Sequence, residues 1–536
     1  MRSLWAVLHA AAGPRTVLHL PAEDRSVPMR RLLDDAERTA ARLTAPGRAG
    51  LLMQNGEPWV RGLLACLRAG TAAVPIALPV AFGGIENYLA HVRRIAADAG
   101  LGTLLVDASV ERLIPALREA LPDVDVVDIT DVPDAAGPVP EGTDPYAVIQ
   151  YTSGSTSQPK GVALTADNVA AGLTVITDSL RWTDDDCMGV WLPLFHDMGL
   201  FSLLSSFFKG AAVCLWPTTL FARRTREWLV SCAASPTTAV PMPNFAYDLI
   251  TESVRDGLPD GLDLSRWRLT FNGAEPVQRR TIERFTATFA PAGYRAEAMQ
   301  PCYGMAEATL LVAWPDLEAR PAALAVDRHR LGLGDRIGVV PEEDPAARVL
   351  VGHGPAVPGI DLRIDAPGDG HVGEIQIRGD AVMTEYLGLP RERQPFTDDG
   401  WLRTGDLGFV REGDLYVTGR LKDMAIVHGR NYYAEDVEEI VRRVPDAGVR
   451  RCAALEAGGD GDEHLAVLVE TSLEGAAARE LAQRLEKAVN ADLGPGVARV
   501  FTVAPRTIPQ TSSGKVRRQA ARELYTQVTT DKGIAE

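Results

Sequence analysis

Residues 151–161 read Tyr-Thr-Ser-Gly-Ser-Thr-Ser-Gln-Pro-Lys-Gly, and this stretch carries the strongest chemical signal in the chain. Most of its residues are Ser, Thr or Gly, whose small side chains let backbone N–H groups close around an anion. Lys160 adds a mobile positive charge at the end of the loop. The stretch therefore predicts a phosphate-binding loop made of Thr152, Ser153, Gly154, Ser155, Thr156, Ser157 and Lys160.

The segments on either side of this loop indicate where it lies in the fold. The upstream run 147–150 is strand-like, and Thr165 can cap a following helix, which predicts a loop between a strand and a helix. Such a junction is a frequent phosphate site. The Walker pattern Gly-x-x-x-x-Gly-Lys-Ser/Thr does not occur in the sequence. An ordinary polar surface loop is the alternative interpretation of this segment by itself.

The composition is that of a large enzyme and not of a nucleic-acid-binding protein. The chain has 536 residues, with 55 basic and 71 acidic side chains and a net charge of −16. This length allows a large domain and a smaller one, and the negative charge disfavours nonspecific nucleic-acid binding. The six cysteines include no Cys-x-x-Cys pair, which favours a reducing, cytoplasmic compartment. No apolar run has the length of a membrane span, so we expect no stable membrane insertion.

The order of local patterns predicts the fold class. Strand-like and helix-like segments alternate between residues 145 and 310, which predicts an α/β fold with mostly parallel sheets flanked by helices. Short alternating runs predict a small antiparallel or barrel-like subdomain over about 350–419. A compact α+β module follows, with helices near 435–443 and 477–491. Ligands of open α/β sheets collect at the carboxyl ends of strands, so the loops after the predicted strands should converge on one crevice.

Several short segments occur in an order that is typical of one enzyme superfamily. They are Phe-His-Asp-Met-Gly at 195–199, Asn-Gly-Ala-Glu-Pro at 272–276, Tyr-Gly-Met-Ala-Glu at 303–307, Thr-Gly-Asp at 404–406, Gly-Arg-Leu-Lys-Asp at 419–423 and Ser-Gly-Lys at 513–515. With the loop at 151–161, they resemble the adenylating superfamily of acyl-CoA synthetases, luciferases and peptide-synthetase adenylation domains. Each match is short, but their joint order extends over nearly the whole chain.

The resemblance implies both an architecture and a reaction. It implies a large N-terminal domain over residues 1–420 and a smaller, mobile C-terminal domain over residues 421–536. It also implies an ATP- and Mg²⁺-dependent ligase that joins a carboxylic acid to AMP and releases pyrophosphate. Two anions meet in that step, so positive charge, a metal ion and positioning matter more than a base.

The resemblance also assigns residues to the nucleotide. It places ATP contacts at Gly273, Ala274, Glu275, Tyr303, Gly304, Met305, Asp406 and Arg420. The small residues would allow the backbone to approach one face of adenine, and Tyr303 would stack on the other face. Asp406 would accept both ribose hydroxyls, and Arg420 would reach the ribose or a phosphate. Glu307 would bind Mg²⁺ through a carboxylate oxygen.

Three other residues receive catalytic or conformational roles from the resemblance. Lys515 matches the lysine that bridges the substrate carboxylate and the α-phosphate, a task that suits a hydrated point charge on a long stem. His196 would line or gate the acid pocket, and Lys422 matches the hinge of the small domain. Without the resemblance, Lys515 would be interpreted as a solvated lysine of a basic tail, and Glu307 as a favourable carboxylate in the first turn of a helix.

Within the superfamily, the chain resembles the fatty acyl-AMP ligases, which pass the acyl group to an acyl carrier protein. The segments that carry this likeness are 191–199, 243–249, 272–277 and 303–309, and Ala306 stands where most of the superfamily has threonine. The segment at about 314–351 resembles the extra insertion of this branch, which is thought to restrict the use of coenzyme A. Ala434 departs from the branch, which usually has proline there.

The resemblance therefore implies a fatty acyl-AMP ligase whose partners are a small carboxylic acid and a phosphopantetheinylated carrier protein, acting in lipid or natural-product assembly. The alternatives are a coenzyme A ligase, an adenylating enzyme for an unusual non-fatty acid, and a non-catalytic homologue that binds nucleotide or acyl ligand. Asp197 could also pair with the ammonium group of an amino acid. The identity and chain length of the acid do not follow from the sequence.

Overall fold

The computed structural model describes residues 3–79, 84–134, 137–152, 159–428, 430–449, 451–458, 462–510 and 516–531. The helices in these ranges are α1 Leu4–Ala11, α2 Met29–Ala40, α3 Glu57–Ala69, α4 Ile85–Ala99, α5 Ile114–Ala120, α6 Ala166–Ser179, α7 Asp197–Phe208, α8 Thr218–Arg223, α9 Thr225–Ala234, α10 Asn244–Ser253, α11 Arg279–Phe289, α12 Ala434–Arg443, α13 Gly475–Leu493 and α14 Arg518–Asp531.

The strands run through the same ranges. They are β1 Val17–Leu20, β2 Arg25–Pro28, β3 Arg48–Leu52, β4 Ala73–Pro75, β5 Leu101–Val106, β6 Asp125–Asp128, β7 Val148–Thr152, β8 Lys160–Leu164, β9 Cys187–Val190, β10 Ala212–Leu215, β11 Ala239–Pro243, β12 Leu269–Gly273, β13 Met299–Pro301, β14 Tyr303–Gly304, β15 Leu311–Ala313, β16 Ala323–Asp327, β17 Ala347–Val351, β18 Ile360–Asp365, β19 Gly373–Gly379, β20 Glu385–Tyr386, β21 Leu402–Arg411, β22 Asp414–Arg420, β23 Met424–Val427, β24 Arg430–Tyr433, β25 Cys452–Ala457, β26 His464–Glu470 and β27 Ala498–Val503.

Two large sheets with helices packed on them form most of the N-terminal part. One sheet has the order β13-β12-β11-β9-β10-β1-β2, and the other has the order β20-β8-β7-β4-β3-β5-β6. Pairing is parallel except at β2 and around β8. Strands such as β9 and β11 are buried along their whole length, as expected for parallel strands covered on both faces. The predicted α/β fold class is confirmed.

The segment around residues 151–161 differs from the sequence prediction. Thr152 pairs with Lys160, so β7 and β8 are antiparallel neighbours, and a strand instead of a helix begins at Lys160. The prediction of a strand-to-helix junction is therefore wrong. Val162 and Leu164 are fully buried, which favours a second strand before the chain turns into α6. Thr165 does cap that helix, in a reciprocal capping box with Asn168.

The rest of the chain forms smaller sheets. The antiparallel sheet β18-β19-β21-β22 lies in the region where the sequence predicts a small antiparallel subdomain. Beyond Arg420, β25-β26-β27 pack with α12 and α13 around a separate cluster of buried apolar residues. Residues 421–423 form a 3-10 turn between the two regions. The domain boundary at 420/421 remains a prediction.

Two observations concern the solvent and membrane environment. All six cysteines have free thiols, and five of them are buried. Within the described ranges, no helix combines the length and the apolar character needed to cross a bilayer.

Candidate active site

A large cleft, with a volume of about 2350 Å³, lies between the ends of the parallel strands and the C-terminal module. The predicted site residues on its walls are Thr152, Lys160, His196, Ala274, Glu275, Tyr303, Gly304, Met305, Glu307, Asp406, Arg420 and Lys422. Gly273 ends β12 directly before Ala274. Residues from distant motifs thus surround one cavity, while their individual roles stay predictions.

Part of the predicted site lies outside the described residues. These residues are Ser153, Gly154, Ser155, Thr156, Ser157 and Lys515. The flanks of both segments are described. Thr152 and Lys160 line the cleft, as do Gln510 and Val516, which pair with each other in an antiparallel bridge. The chain therefore enters and leaves both segments at the cleft.

Three side chains form a connected polar group within the cleft. The Tyr303 hydroxyl donates a hydrogen bond to Asp406 Oδ2 over 2.8 Å, and Arg420 Nε lies 2.9 Å from Oδ1 of the same carboxylate. The Asp406 side chain is buried, whereas Arg420 is 42% exposed. Burial, together with the charge of Asp406, raises the pKa of the Tyr303 phenol, which keeps it a neutral donor. The carboxylate is held by two partners, and the guanidinium remains open to an anion in the cleft.

A tight turn in β21 positions Asp406. Gly405 has a φ of +73°, in the left-handed region that favours glycine, and its N–H donates to Glu374 Oε1 over 3.0 Å. The Asp406 N–H donates to Thr404 Oγ1 over 3.1 Å, and the Thr404 hydroxyl donates in turn to the Ile375 carbonyl over 2.6 Å. Both backbone donors of the turn are thereby satisfied, which fixes the direction of the Asp406 side chain.

The strip predicted to lie along adenine is tightly packed and strained. A Cβ on Gly273 would lie 2.8 Å from Cys302 Sγ, so only glycine fits at this position. Ala274 has a φ of +65°, which costs a non-glycine residue about 1–2 kcal/mol. The Glu275 carboxylate accepts a hydrogen bond from the Phe245 N–H over 2.5 Å. Backbone strain of this kind is concentrated at functional sites.

Glu307 is a buried carboxylate, and its side chain accepts a hydrogen bond from Tyr386 among the described residues. The Tyr386 hydroxyl donates to Glu307 Oε1 over 2.5 Å, and the Met383 N–H donates to the Glu307 carbonyl over 2.7 Å. Glu307 lies in a single 3-10 turn, Ala306–Ala308, and not in a regular helix as the sequence suggests. Thr309, with a φ of +62°, ends that turn, and the Leu310 N–H donates to the Ala308 carbonyl. This strained γ-turn prevents a longer helix.

The surroundings of Glu307 fit a magnesium ion that arrives with ATP. Magnesium in such sites is held by one or two carboxylates together with phosphate oxygens and water. In the described part of the chain, no group of three or more His, Cys, Asp or Glu side chains is arranged to hold a metal ion. Glu307 would therefore supply one hard oxygen ligand, and the remaining ligands would come from phosphate oxygens and water.

Tyr386 links the predicted metal ligand to the predicted phosphate loop. Lys160 Nζ lies 4.7 Å from the centroid of the Tyr386 ring, and Tyr386 pairs with Val162 of β8. The hydroxyl of the same side chain contacts Glu307. One tyrosine side chain therefore contacts the ammonium through its ring and the carboxylate through its hydroxyl.

We expect Tyr386→Phe to shift the acid limb of enzyme activity to higher pH. Burial raises the pKa of Glu307, and the Tyr386 hydrogen bond opposes this by stabilising the carboxylate. Without the hydroxyl, that pKa rises further, so the ionised form of Glu307, which is predicted to bind the metal ion, is lost at a higher pH as the pH falls. The pH profile of kcat/KM in ATP–pyrophosphate exchange measures the shift. Tyr416→Phe, at a buried tyrosine outside the cleft wall, is the matched control. Superimposable pH profiles of the Tyr386→Phe variant and the wild type would contradict the predicted role of Glu307.

His196 lines the cleft and is oriented by its neighbour Asp197. His196 Nδ1 lies 3.0 Å from Asp197 Oδ1, which also accepts a hydrogen bond from the Met198 N–H over 2.7 Å at the start of α7. Gln150 Nε2 donates to the Phe195 carbonyl over 3.1 Å and ties this loop to β7. Asp197 is thus already engaged with groups of its own loop.

Lys422 occupies an unusual electrostatic environment in the turn between the two regions. Burial, followed by the nearby charge of Arg420, lowers the pKa of Lys422 from 10.5 to about 8, and Lys160 contributes in the same direction. Asp423 beside it lies 3.3 Å from Arg518 Nε. The turn is therefore in contact with both the cleft and the C-terminal helix α14.

The predicted insertion contacts the C-terminal module. It contains the paired strands β16 and β17, in which Asp327 pairs with Ala347. Arg348 Nη2 lies 2.7 Å from Asp436 Oδ1, and Tyr433 donates from its hydroxyl to the Leu331 carbonyl over 2.6 Å. The segment thus lies against α12 and β24 at the rim of the cleft.

The motifs of the sequence analysis did not include three residues of the cleft wall, Tyr386, Glu374 and His353. Tyr386 donates a hydrogen bond to Glu307. Glu374 accepts one from the Gly405 N–H, in the turn that positions Asp406. His353 is buried against Tyr303, with ring centroids 6.4 Å apart, and burial lowers its pKa to about 4. None of the three lies in a motif that the sequence analysis singled out. Their places in the cleft wall follow only from contacts with residues that are distant in the sequence, namely Glu307, Gly405 and Tyr303.

Comparison with known proteins identifies relatives over most of the chain. Residues 8–387 match the family described as AMP-binding enzyme. The chain is 32% identical over 512 residues to a medium-chain-fatty-acid–[acyl-carrier-protein] ligase of Moorena producens, covering 90% of this chain and 86% of that protein. It is also 32% identical over 531 residues to a putative fatty-acid–CoA ligase of Mycobacterium tuberculosis, covering 90% and 88% of the two chains.

The fold has a close counterpart among solved structures. A structure from studies of fatty acyl-adenylate ligases of E. coli and L. pneumophila superposes with a TM-score of 0.89 at 28% sequence identity. The superposition covers 99% of both chains. The agreement therefore extends through the C-terminal module as well as the two large sheets.

Proposed function

The chain belongs to the AMP-binding enzyme family, and we propose that it is a fatty acyl-AMP ligase that activates a fatty acid with ATP and passes the acyl group to an acyl carrier protein. The observation that supports this most directly is the meeting of Glu307, Asp406 and Arg420 in one cleft. ATP–pyrophosphate exchange with a panel of carboxylic acids, with mass-spectrometric detection of acyl-AMP, tests the proposal. Lack of exchange with every acid would contradict it.

The first half-reaction is a substitution at phosphorus. A carboxylate oxygen forms a bond to the α-phosphorus, the bond to the bridging oxygen breaks, and pyrophosphate leaves with the electron pair. Asp406 would hold the ribose hydroxyls, while Arg420 and Lys515 would neutralise charge on the nucleotide and the acid. Magnesium, held by Glu307 and phosphate oxygens, would neutralise charge on the phosphate chain.

The second half-reaction transfers the acyl group to a thiol. The pantetheine sulfur forms a bond to the acyl carbon, AMP leaves, and the thiol proton is released. A carrier protein and coenzyme A present the same thiol, so discrimination depends on the rest of each molecule. The names of the relatives include both acceptors. We propose the carrier protein because of the segments and the insertion that resemble the fatty acyl-AMP ligases.

Basic residues at the rim of the cleft support docking of an acidic carrier. Arg442, Arg443 and Arg451 line the cleft, and the first two lie within 3.7 Å and 3.0 Å of Glu439. Arg450, next to Arg451 in the sequence, lies outside the described residues. A surface of this kind steers an acidic partner and makes the encounter sensitive to salt.

We expect the enzyme to transfer acyl groups to a phosphopantetheinylated carrier protein far faster than to free coenzyme A, and a shortened insertion to raise coenzyme A turnover. Because Asp327 pairs with Ala347, a two-glycine turn can replace residues 328–346 and keep the hairpin register. The replacement removes the contact between Arg328 and Asp492, which lie 3.3 Å apart. Arg363→Gln, outside the insertion, is the control. Equal wild-type rates with both acceptors at matched concentrations would leave the ligase proposal intact and contradict the carrier proposal.

A substitution in the 421–423 turn tests the hinge. Proline at position 422 fixes φ and removes a backbone donor, so Lys422→Pro should hold the module in one orientation and change the two half-reactions unequally. Lys422→Ala removes the charge but leaves the backbone free, which separates electrostatics from hinge motion. Adenylate formation and thioester transfer are measured separately. An equal loss of both in a folded Lys422→Pro variant would argue against a hinge.

Two alternatives receive less support from the site. A non-catalytic homologue would not need a buried Glu307 beside a nucleotide cleft, and Asp197 already accepts a hydrogen bond from its own helix, which disfavours a role in binding an ammonium group. The free thiols support a cytoplasmic location as part of the proposal.

A further inference from the structure

Lysine is rare in this chain and concentrated in the segments that resemble adenylating enzymes. The sequence has six lysines and 49 arginines, and three of the six lysines, Lys160, Lys422 and Lys515, stand in those segments. A lysine amine is a nucleophile once it has lost its proton, whereas a guanidinium stays protonated. Side chains that can accept an acyl group through an amine are therefore few, and half of them belong to the predicted site.

Lys422 lies close to the predicted ribose-binding carboxylate. Asp406 pairs in register with Arg420, and Lys422 follows Arg420 by two residues in the turn 421–423. That turn packs against β21, the strand that carries Asp406. The Lys422 side chain is exposed and lines the cleft. The acyl phosphate of an adenylate is joined directly to the ribose, so a ribose held by Asp406 brings the reactive carbonyl to the same end of the cleft as Lys422.

The two carboxylates nearest to Lys422 are already paired with arginines. Asp423 lies 3.3 Å from Arg518 Nε, and Asp406 lies 2.9 Å from Arg420 Nε. Within the described ranges, the Lys422 ammonium forms no salt bridge or hydrogen bond. The amine is therefore left beside the charge of Arg420 without a carboxylate of its own.

These surroundings favour the neutral, nucleophilic form of the amine. Desolvation in the cleft, followed by the charge of Arg420, lowers the pKa of Lys422 to about 8. Lys160 acts in the same direction, whereas Asp423 and Asp406 oppose the shift. At pH 7 an amine with this pKa is neutral about one time in ten, against about one time in a few thousand for an ordinary lysine.

We propose that Lys422 is a self-acylation site, which takes the acyl group from bound acyl-AMP when no thiol acceptor is present. The inference deepens the proposed function and rests on it, because acyl-AMP is the product of the first half-reaction. The amine nitrogen forms a bond to the acyl carbon, the bond from that carbon to the phosphate oxygen breaks, and AMP leaves with the electron pair. The amine proton is released to solvent. An amide then replaces a positive charge in the turn between the two regions.

The other lysines differ from Lys422 in their surroundings. Lys160 Nζ lies over the Tyr386 ring, 4.7 Å from its centroid. Lys487 is exposed on α13 and lies outside the cleft wall. Lys515 is outside the described residues, and its predicted role between two anions favours the protonated form, which is not nucleophilic. Lys422 thus combines a place in the cleft wall with surroundings that favour loss of its proton.

The test supplies acyl-AMP without a thiol and locates the resulting amide. One sample contains the full-length enzyme, ATP, magnesium and the acid that gives the fastest pyrophosphate exchange. A second sample contains the enzyme and synthetic octanoyl-AMP, which bypasses adenylation. Peptide mapping by tandem mass spectrometry identifies the acylated residues and their occupancy. We expect the acylation of Lys422 to exceed that of Lys487 about tenfold or more at pH 7.

Two variants and a competitor show whether the reaction takes place in the cleft. Lys422→Arg keeps a positive charge but has no amine that can be acylated, so the adduct at this position should be lost. Lys487→Arg is the same substitution at an exposed lysine outside the cleft wall, and it should leave the Lys422 adduct unchanged. Excess AMP, which carries no acyl group, should protect Lys422 from octanoyl-AMP, because the adduct forms from the bound molecule.

The outcomes separate this inference from the proposed function. A Lys422 adduct in both samples supports both. A Lys422 adduct from octanoyl-AMP, in an enzyme that exchanges pyrophosphate with no acid, supports the inference and contradicts the proposed function. Absence of Lys422 acylation from both samples overturns the inference, whether or not exchange occurs. So does acylation that is spread equally over the lysines, that falls mainly on Lys515, or that excess AMP leaves unchanged.

Discussion

Lys515→Ala should lower the rate of acyl-adenylate formation about a hundredfold or more while ATP binding persists. The expectation rests on the match of Lys515 to the lysine that bridges the acid and the α-phosphate. Removing one preorganised charge from a site of phosphoryl transfer costs about 3–4 kcal/mol of transition-state stabilisation. Single-turnover formation of acyl-AMP, quantified by mass spectrometry, measures the rate.

Two further variants test whether the effect on adenylate formation is specific to the Lys515 side chain. Lys487→Ala removes an exposed lysine from α13 and should leave the rate unchanged. Lys515→Arg keeps the charge but changes its shape and reach, so it should restore only part of the rate. If Lys515→Ala forms adenylate at the wild-type rate, the bridging role is wrong.

Asp406→Ala should raise the KM for ATP about a hundredfold. Asp406 is predicted to accept both ribose hydroxyls, and two hydrogen bonds to a carboxylate, each worth about 1.5 kcal/mol, correspond to a change of that size. The variant also leaves Tyr303 and Arg420 without their shared partner. The KM for ATP, measured at saturating acid in the exchange assay, tests the prediction.

A nearby aspartate provides the control for Asp406. Asp399 also pairs with an arginine, since Arg363 Nη1 lies 2.8 Å from its Oδ2, but it lies outside the cleft wall. Asp399→Ala should leave the KM for ATP unchanged. Thermal unfolding of both variants shows whether a loss of structure contributes. An unchanged KM in folded Asp406→Ala would contradict the ribose assignment.

Much of the cleft could be predicted because its residues follow buried strands. The loop with His196 comes after β9, and Ala274 comes directly after β12. The ends of neighbouring parallel strands lie at one edge of a sheet, so local patterns were enough to group these loops. The pattern of short alternating runs likewise indicated the antiparallel sheet that contains Asp406.

What the sequence did not reveal depends on contacts between distant segments. Lys160 begins a strand because β8 pairs with β7 and buries Val162 and Leu164 in the core. A window that contains only the loop and Thr165 favours a helix instead. Tyr386 approaches Glu307 because the two-residue strand β20 pairs with β8. Strand pairing and side-chain burial of this kind cannot be recognised from a short stretch of sequence.

The stacked rings of Trp191 and Phe221, whose centroids lie 3.7 Å apart in the wall of the cleft, place a fluorescent side chain where a ligand can contact it. Trp191 lies 5.7 Å from Trp228, which in turn lies 6.1 Å from Trp216, measured between ring centroids. Indoles this close exchange excitation energy, so a molecule that touches Trp191 alters the ultraviolet emission of the whole cluster. Binding of unlabelled compounds beside Trp191, which lines the cleft, can therefore be followed in real time before any nucleotide is added.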